Sequence, residues 1–576
     1  MRRASFVRQK KTERGRAAVV ITIILLAAIL VAGLTVYFLM KTAGPADFLT
    51  AAARMAPEST QVFIAIDGTK LDFAESMKQE ALSALEQSAS FQEAKNKLHD
   101  TLGLQLDDDV LALIRPSAAL ALAPLDGKKS IVSDVSAAQL GAPPFRLCLL
   151  LVLEDEQKAG EVMESIQTQI KTPYKEETYA GVALHAPEAS GKGPAWAVNQ
   201  GMLIVGSSVA DLKTALDGAA KKGRSLADSP QYLRAVSTLK RKDAMVAYAD
   251  LQGIVQSERL QNIEQKEVRE LMGALRTAVA GSAIEGEDLV SEFKVKIDPG
   301  TAGTLGADIL KPDYGLEIKS VDIMPADTEM FFAVNAKMLW QMTYDIMGRF
   351  MQGRMLREFP AAQLQQKGID LQRDILDAFT GELALSMPDY SKVAALQFGS
   401  LGEQKDPKAS MAEIQRMPML IVMPFAQKSR FDALLEKPFL KPLLQVFIVE
   451  EHKGVKIHNM VGQFAYATHD DALIMGVNKG DEGIRGIIDA QAEKRVLKTR
   501  PGFSKIGDLL EGSRPVFVSF MDMEKAYGAV ALQIESKDPG MARLFRTLSK
   551  MGCGWQAWTI RADGLYGVSI QTEMKL

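Results

Sequence analysis

Beyond residue 56 the chain alternates short apolar runs of strand length with longer stretches whose apolar positions fall at helical spacing. The run 61–66 (QVFIAI) is apolar nearly throughout, which predicts a buried strand, and it ends at Asp67, a residue suited to accept from the free amides of a helix start. Leu71, Ala74, Met77, Leu85 and Phe91 then follow near the 3.6-residue period. Strands are predicted at 119–123, 146–153, 177–185, 195–199 and 202–207, with Gln200-Gly201 as a hairpin turn between the last two. Helices are predicted over 157–170, from Val209 to Ala219, and from Pro230 with Ser229 as its cap. The segment 243–250 (DAMVAYAD) repeats the strand-then-Asp theme, a helix is predicted over 255–280, and a strand over 289–298 closes the series.

This series runs twice. Pro57, Thr60, Phe63, Ala65 and Asp67 return as Pro325, Thr328, Phe331, Ala333 and Asn335. Pro388 answers Pro124, 419–423 answers 147–151, and His458 answers His185. Ala472 to Gly476 answers the end of the 202–206 strand, Pro501 answers Pro230, and 516–522 answers 245–250. Apolar type is kept more than identity, as packing requires. The pattern predicts an α+β fold of two tandem homologous domains, 56–298 and 318–576, each a mostly antiparallel sheet with packed helices. The Gly- and Pro-containing stretch 299–317 reads as the linker between them.

The opposite pattern precedes these domains. Residues 17–40 carry no charge and, as a helix, reach about 36 Å, enough to cross a bilayer. Seven basic residues against Glu13 leave residues 1–16 at +6, and only Lys41 follows the span closely. That asymmetry predicts a single-pass anchor in a bacterial inner membrane, with a cytoplasmic basic tail (1–16), a transmembrane helix (17–40), a linker (41–55) and the bulk outside the cytoplasm. The lipid bilayer is therefore the first expected partner. The apolar run is too long for the core of a cleaved signal.

Composition adds little beyond excluding classes. The chain is 47% hydrophobic and 24% charged, ordinary for a folded protein. Net charge is −3, so the part after residue 16 stands at −9, which argues against nucleic acid as a partner. Cys148 and Cys553 lie in unlike contexts, outside any CxxC or zinc spacing, and sequence leaves their pairing open.

Candidate chemistry is sparse, and no catalytic residue, metal site or cofactor is predicted. Asp107, Asp108 and Asp109 lack the ligand spacing of a calcium loop and read as a helix start. His452, His458 and His469 do not make a metal set, because only His458 has a counterpart, His185. His469-Asp470-Asp471 reads as turn chemistry, and Trp555 and Trp558 fall on opposite faces of one strand. The most suggestive feature is the stretch after Asn335, where Met338, Met342, Met347, Met351 and Met355 widen an apolar helix face. Core packing accounts for such methionines; a groove for an apolar ligand or partner helix is the functional alternative.

The apolar span, the doubling and the P-x-x-T-x-x-F-x-A-x-[DN] opening together resemble a family of uncharacterised bacterial membrane-anchored proteins of unknown function. The resemblance implies an envelope location and brings no catalytic residues. The expectation is a non-enzymatic envelope protein that binds or scaffolds other envelope components. Its alternatives are a carrier or chaperone for a lipid or other apolar ligand, and an enzyme of unrecognised type.

Overall fold

The computed structural model describes residues 48–70, 114–125, 145–170, 173–188, 194–256, 266–301, 314–340, 360–393, 417–460 and 463–572, with 83, 84, 87, 88, 92, 131 and 310 as isolated positions. The fold is α+β, and every strand pairing among these residues is antiparallel. Twenty strands form one continuous sheet.

The first ten are β1 (Val62–Asp67), β2 (Ile114–Ala123), β3 (Arg146–Leu153), β4 (Tyr174–Tyr179), β5 (Val182–Pro187), β6 (Ala195–Asn199), β7 (Met202–Gly206), β8 (Met245–Ala249), β9 (Leu275–Glu285) and β10 (Asp288–Ile297). They lie side by side as β4-β5-β6-β7-β3-β2-β1-β8-β9-β10. The second ten are β11 (Met330–Asn335), β12 (Glu382–Met387), β13 (Met419–Pro424), β14 (Ile448–His452), β15 (Val455–Met460), β16 (Phe464–His469), β17 (Ala472–Val477), β18 (Phe517–Asp522), β19 (Cys553–Arg561) and β20 (Gly564–Thr572). Their order is β14-β15-β16-β17-β13-β12-β11-β18-β19-β20. The two runs join where β10 pairs with β20. Among the described residues the outer edges are then β4 and β14.

Local chemistry explains how the strands begin and end. In the P-x-x-T opening, Thr60 Oγ1 and its amide both donate to the Pro57 carbonyl (2.6 and 3.0 Å), closing a turn just before β1. The Thr328 amide donates to Pro325 in the same way (3.2 Å). The polar residue that ends each strand caps the turn or helix after it. Asp67 accepts from the Thr69 amide (3.1 Å) and from Ser117 Oγ (3.0 Å), and Asn335 Oδ1 accepts from the Met338 amide (2.8 Å). Asp250 and Asp522 likewise cap the helices Leu251–Val255 and Met523–Ile534.

One sheet face carries the main cores. Helices Phe48–Met55, Val209–Ala219 and Pro230–Ser237 close over Phe63, Leu150, Leu184 and Ile204, all buried. Helices Gly480–Ala492 and Phe503–Leu509 close over Phe331, Ile457, Ile474, Val518 and Trp555. Residues 48–55, expected as linker, thus form a helix with Phe48 fully buried. Leu310, Tyr314 and Leu316, expected in the second linker, are buried as well.

Three readings from sequence change. The stretch 177–185 is two strands, β4 and β5, because Ala180 (φ 52°) and Gly181 (φ 84°) turn the chain. The helix expected over 255–280 gives way to strand β9 from Leu275. Small residues make that strand possible: a Cβ on Gly281 would lie 2.1 Å from the Arg241 carbonyl. Pro124 and Pro388 are one residue out of step, since Val62 faces Leu122 while Met330 faces Met387. Asp107–109, the loops 126–144 (apart from residue 131) and 402–416, and the span 17–40 lie outside the described residues. Among the described residues no helix is long and apolar enough to cross a membrane.

Both cysteines are buried, and burial pushes the Cys148 thiol up to about 12. Native protein should therefore resist thiol-specific reagents, with both thiols titrating only after unfolding; rapid native labelling would contradict this placement. A second expectation concerns the join. Gly564 lies at φ 151°, and a Cβ there would meet the Val295 carbonyl at 2.0 Å. Gly564→Ala should cost about 1–3 kcal/mol, read as a lower urea midpoint with an unchanged m-value.

Candidate functional site

The free edge at β14 is the surface most unlike an ordinary soluble exterior. Nine large hydrophobic side chains are exposed among the described residues, and six of them fall between 439 and 460. Leu443, Val446, Ile448 and Val449 expose 51, 59, 55 and 54% of their surface, and Phe439 and Met460 expose 36% each. Clustering of this kind marks interaction surfaces, whereas single exposed apolar residues do not.

The patch stands on a rigid base. Phe447 turns inward and meets the rings of Phe464 (6.0 Å) and Tyr466 (5.3 Å) edge-on. Its neighbours Val446 and Ile448 are thereby left outside. Ile448 and Val449 alternate across the strand, so both faces of this end of the sheet are apolar. Lys453 (φ 48°) and Gly454 (φ 81°) form the tight turn that returns the chain as β15. On the helical side, Arg485 donates to Glu450, while His452 and Lys453 reach Asp489 at 2.8 and 2.7 Å. The Lys453 and His452 hydrogen bonds hold the Asp489 carboxyl below its ordinary range.

A second anchor lies behind the patch. Lys437 donates to Asp374 and to the Gly368 carbonyl, tying the one-turn helix Leu371–Leu376 to the segment that leads into Leu443. Hydrogen bonds from Arg373 and then Lys437 hold the Asp374 carboxyl well below the carboxylate range. Beneath it Phe379, Phe425 and Phe431 pack ring to ring at 5.3–5.8 Å.

The opposite edge, β4, is built differently. Lys175, Glu176 and Thr178 are exposed along it, Glu177 pairs with Lys213 at 2.5 Å, and the Tyr179 hydroxyl donates to Asp217 at 2.9 Å. Charges on an edge strand deter further pairing.

The residues singled out from sequence fall elsewhere. Met338 is buried against Ala274, Ile297, Tyr314, Val516 and Ile560, in a core at the join of the two runs. Met342, Met347, Met351 and Met355 lie outside the described residues. His452 and His458 sit on adjacent strands rather than on one. His458 stacks on Tyr466 at 4.5 Å, and His185 stacks on Trp196 at 3.9 Å. Burial, and then Lys456, lowers the His458 pKa. Asp470 and Asp471 both take positive φ in the β16–β17 turn, as turn chemistry predicts. Trp555 is buried among the helices, whereas Trp558 lies half-buried on the other face beside Phe293. No group of three or more potential metal ligands occurs among the described residues. The β14 patch was not legible beforehand: IVEEH reads as an ordinary strand, and only its position at an edge exposes it.

Because the Asp374 pKa is depressed in the folded chain, its contribution to stability is present above the unfolded-state pKa and is lost as pH falls through the folded value. Asp374→Asn should therefore flatten the acid limb of a Tm-against-pH curve below about pH 4. An unchanged limb would contradict the assignment.

A search of curated proteins finds no match. Among solved structures the chain is similar to crystal forms I, III and IV of TP0453, at 7, 8 and 9% identity with TM-scores of 0.22, 0.23 and 0.24. Those matches cover 43, 43 and 42% of this chain and 78, 79 and 80% of the other, and a likeness this low carries no argument here. The model of one family, described as "protein of unknown function (DUF3352)", matches residues 19–416, and the chain belongs to that family.

Proposed function

We propose that this chain is a non-enzymatic, membrane-anchored envelope protein that binds or holds other components. One observation carries the reading: the β14 edge opens with Ile448 and Val449, both more than half exposed. An edge strand offers a row of unspent N–H and C=O groups, and extended segments dock on such rows. The apolar span 17–40 supplies the tether. Only residues 41–47 separate it from Phe48, which belongs to the first core, so the body stands within roughly 25 Å of the bilayer at about 3.3 Å per residue.

The body, in this reading, is a tandem duplication of one unit. The support is register as well as order. Val62 faces Ala249 and Met330 faces Met521; Cys148 faces Gly206 and Leu420 faces Gly476; Leu184 faces Ala197 and Ile457 faces Ala467. Each pair repeats once the same offsets are applied to its strands. The openings dock alike too, with Leu226 donating to Ala56 (2.9 Å) and Leu497 to Met324 (2.7 Å).

The test is a photo-crosslinking amino acid at Val449 in the full chain in intact cells, with Glu176 on β4 as control, alongside a topology reporter at the C-terminus. Covalent adducts from position 449 but not 176, and an extracytoplasmic reporter, are expected. Absence of adducts from 449, or a cytosolic reporter, would reject the reading.

A further inference from the structure

We propose that the occupant of the β14 edge is a second copy of this chain, paired antiparallel β14 to β14 about a two-fold axis beside Val449. The inference rests on the binding role just assigned to β14 and goes further by naming the partner.

The chain already contains such a join. β10 and β20 meet edge to edge, with Leu289 facing Gln571 and Val295 facing Leu565, so that Glu292 and Val568 stand at the centre. Asp288 and Gly564 open these strands after matching hairpins, Asp288 facing Glu285 and Gly564 facing Arg561. Counted from those residues, Leu289 and Leu565 hold the same place, as do Val295 and Gln571. The register is therefore self-complementary, the property that defines an isologous contact. Antiparallel extension through an edge is the way this sheet grows.

Of the two edges that remain, one is closed to this mode. β4 presents Lys175, Glu176 and Thr178 to solvent. A head-to-tail contact between β14 of one copy and β4 of the next would propagate as an open filament. Pairing β14 with itself avoids this, because an isologous contact closes at two copies. An axis perpendicular to the sheet keeps each face continuous, so residues of the same face must oppose. With the axis at Val449, Val449 meets its own copy and Ile448 lies opposite Glu450, which Arg485 already neutralises. Val446 and Leu443 flank the pair, and their exposed surface is covered in the same step. Helix Gly480–Ala492 would lie on the same face in both copies, extending the helical layer across the join.

Single cysteines at the exposed positions test this without disturbing the core, since the native thiols are buried. Full-length Ile448→Cys, Val449→Cys and, as control, Glu176→Cys would be oxidised in detergent and in native membranes, and the uncrosslinked chain weighed by light scattering across a concentration series. Disulfide-linked dimers are expected from one or both β14 variants and not from Glu176→Cys, with a dimer mass in solution. Val449→Lys, which places two ammonium groups at the axis, should weaken dimerisation at least tenfold while leaving Tm unchanged at dilutions where both chains are monomeric. A monomer at every concentration with no β14 crosslink overturns the proposal. If the Val449 photo-adducts in cells then contain a different protein, the binding role of β14 stands and only the second copy is rejected.

Discussion

Every edge of a β-sheet is a row of donors and acceptors that must be paired, hydrated or screened, and this molecule is arranged around that requirement. Two strands, β10 and β20, would each end a ten-strand sheet, and they satisfy one another. Their backbones come close because glycine permits it. Gly567 faces Phe293, whose ring occupies the space a Cβ would need and meets Trp558 at 5.5 Å. On the other face the second core reaches across the join, as Val290 packs with Val568 and Ile570. Polar groups there are matched as well. Buried Glu292 accepts from the Lys240 and Arg241 amides, and Lys240 and Lys505 cross the join to Glu511 and Asp288. A carboxylate taken out of water at such a place is tolerable because backbone donors replace its hydration.

The pairing of inner edges leaves the outer ones to differ. β4 exposes only polar side chains, whereas β14 opens with the exposed pair Ile448 and Val449 before Glu450 and Glu451, on strands that hold matching positions in the sheet. Phe447, the β15 ladder and the ties of Glu450, His452 and Lys453 to helix Gly480–Ala492 secure β14 to its base, and none of them involves the exposed Ile448 and Val449 side chains. That is why the exposed side of β14, rather than a cleft, carries the functional reading. Clefts among the described residues are lined by charges of both signs. One of about 480 Å³ near the join is lined by Arg234, Arg276, Lys294 and Lys296, but Arg276 is engaged by Asp298 and Lys294 by the Thr238 carbonyl.

Particular residues show how far sequence reading reached. The apolar run 61–66 and Asp67 announced a strand and a cap, and both roles appear, while the turn that Thr60 closes on Pro57 emerged only from the structure. Gln200-Gly201 and Asp470-Asp471 were legible as turns because few residues accept positive φ. Strand β9 was not legible. Its alanines carry helix propensity and follow a helical stretch, and only the close approach of the Arg241 carbonyl explains why a residue as small as Gly281 is needed in the strand. Met338 was legible as part of an apolar face, but a helix face does not say what it packs against.

The sequence by itself determined the strongly apolar strands such as β1, β3 and β7 and several of their turns and caps, because these depend on near neighbours along the chain and on a period of two or 3.6. It also determined the uncharged span 17–40, through length and charge alone. Tertiary structure decided which strands became inner and which became edges, the one-residue step between Pro124 and Pro388, and the enclosure of Phe48 and Tyr314 in cores rather than in linkers. Those outcomes turn on which backbone groups find partners far along the chain, a property no local window of residues contains.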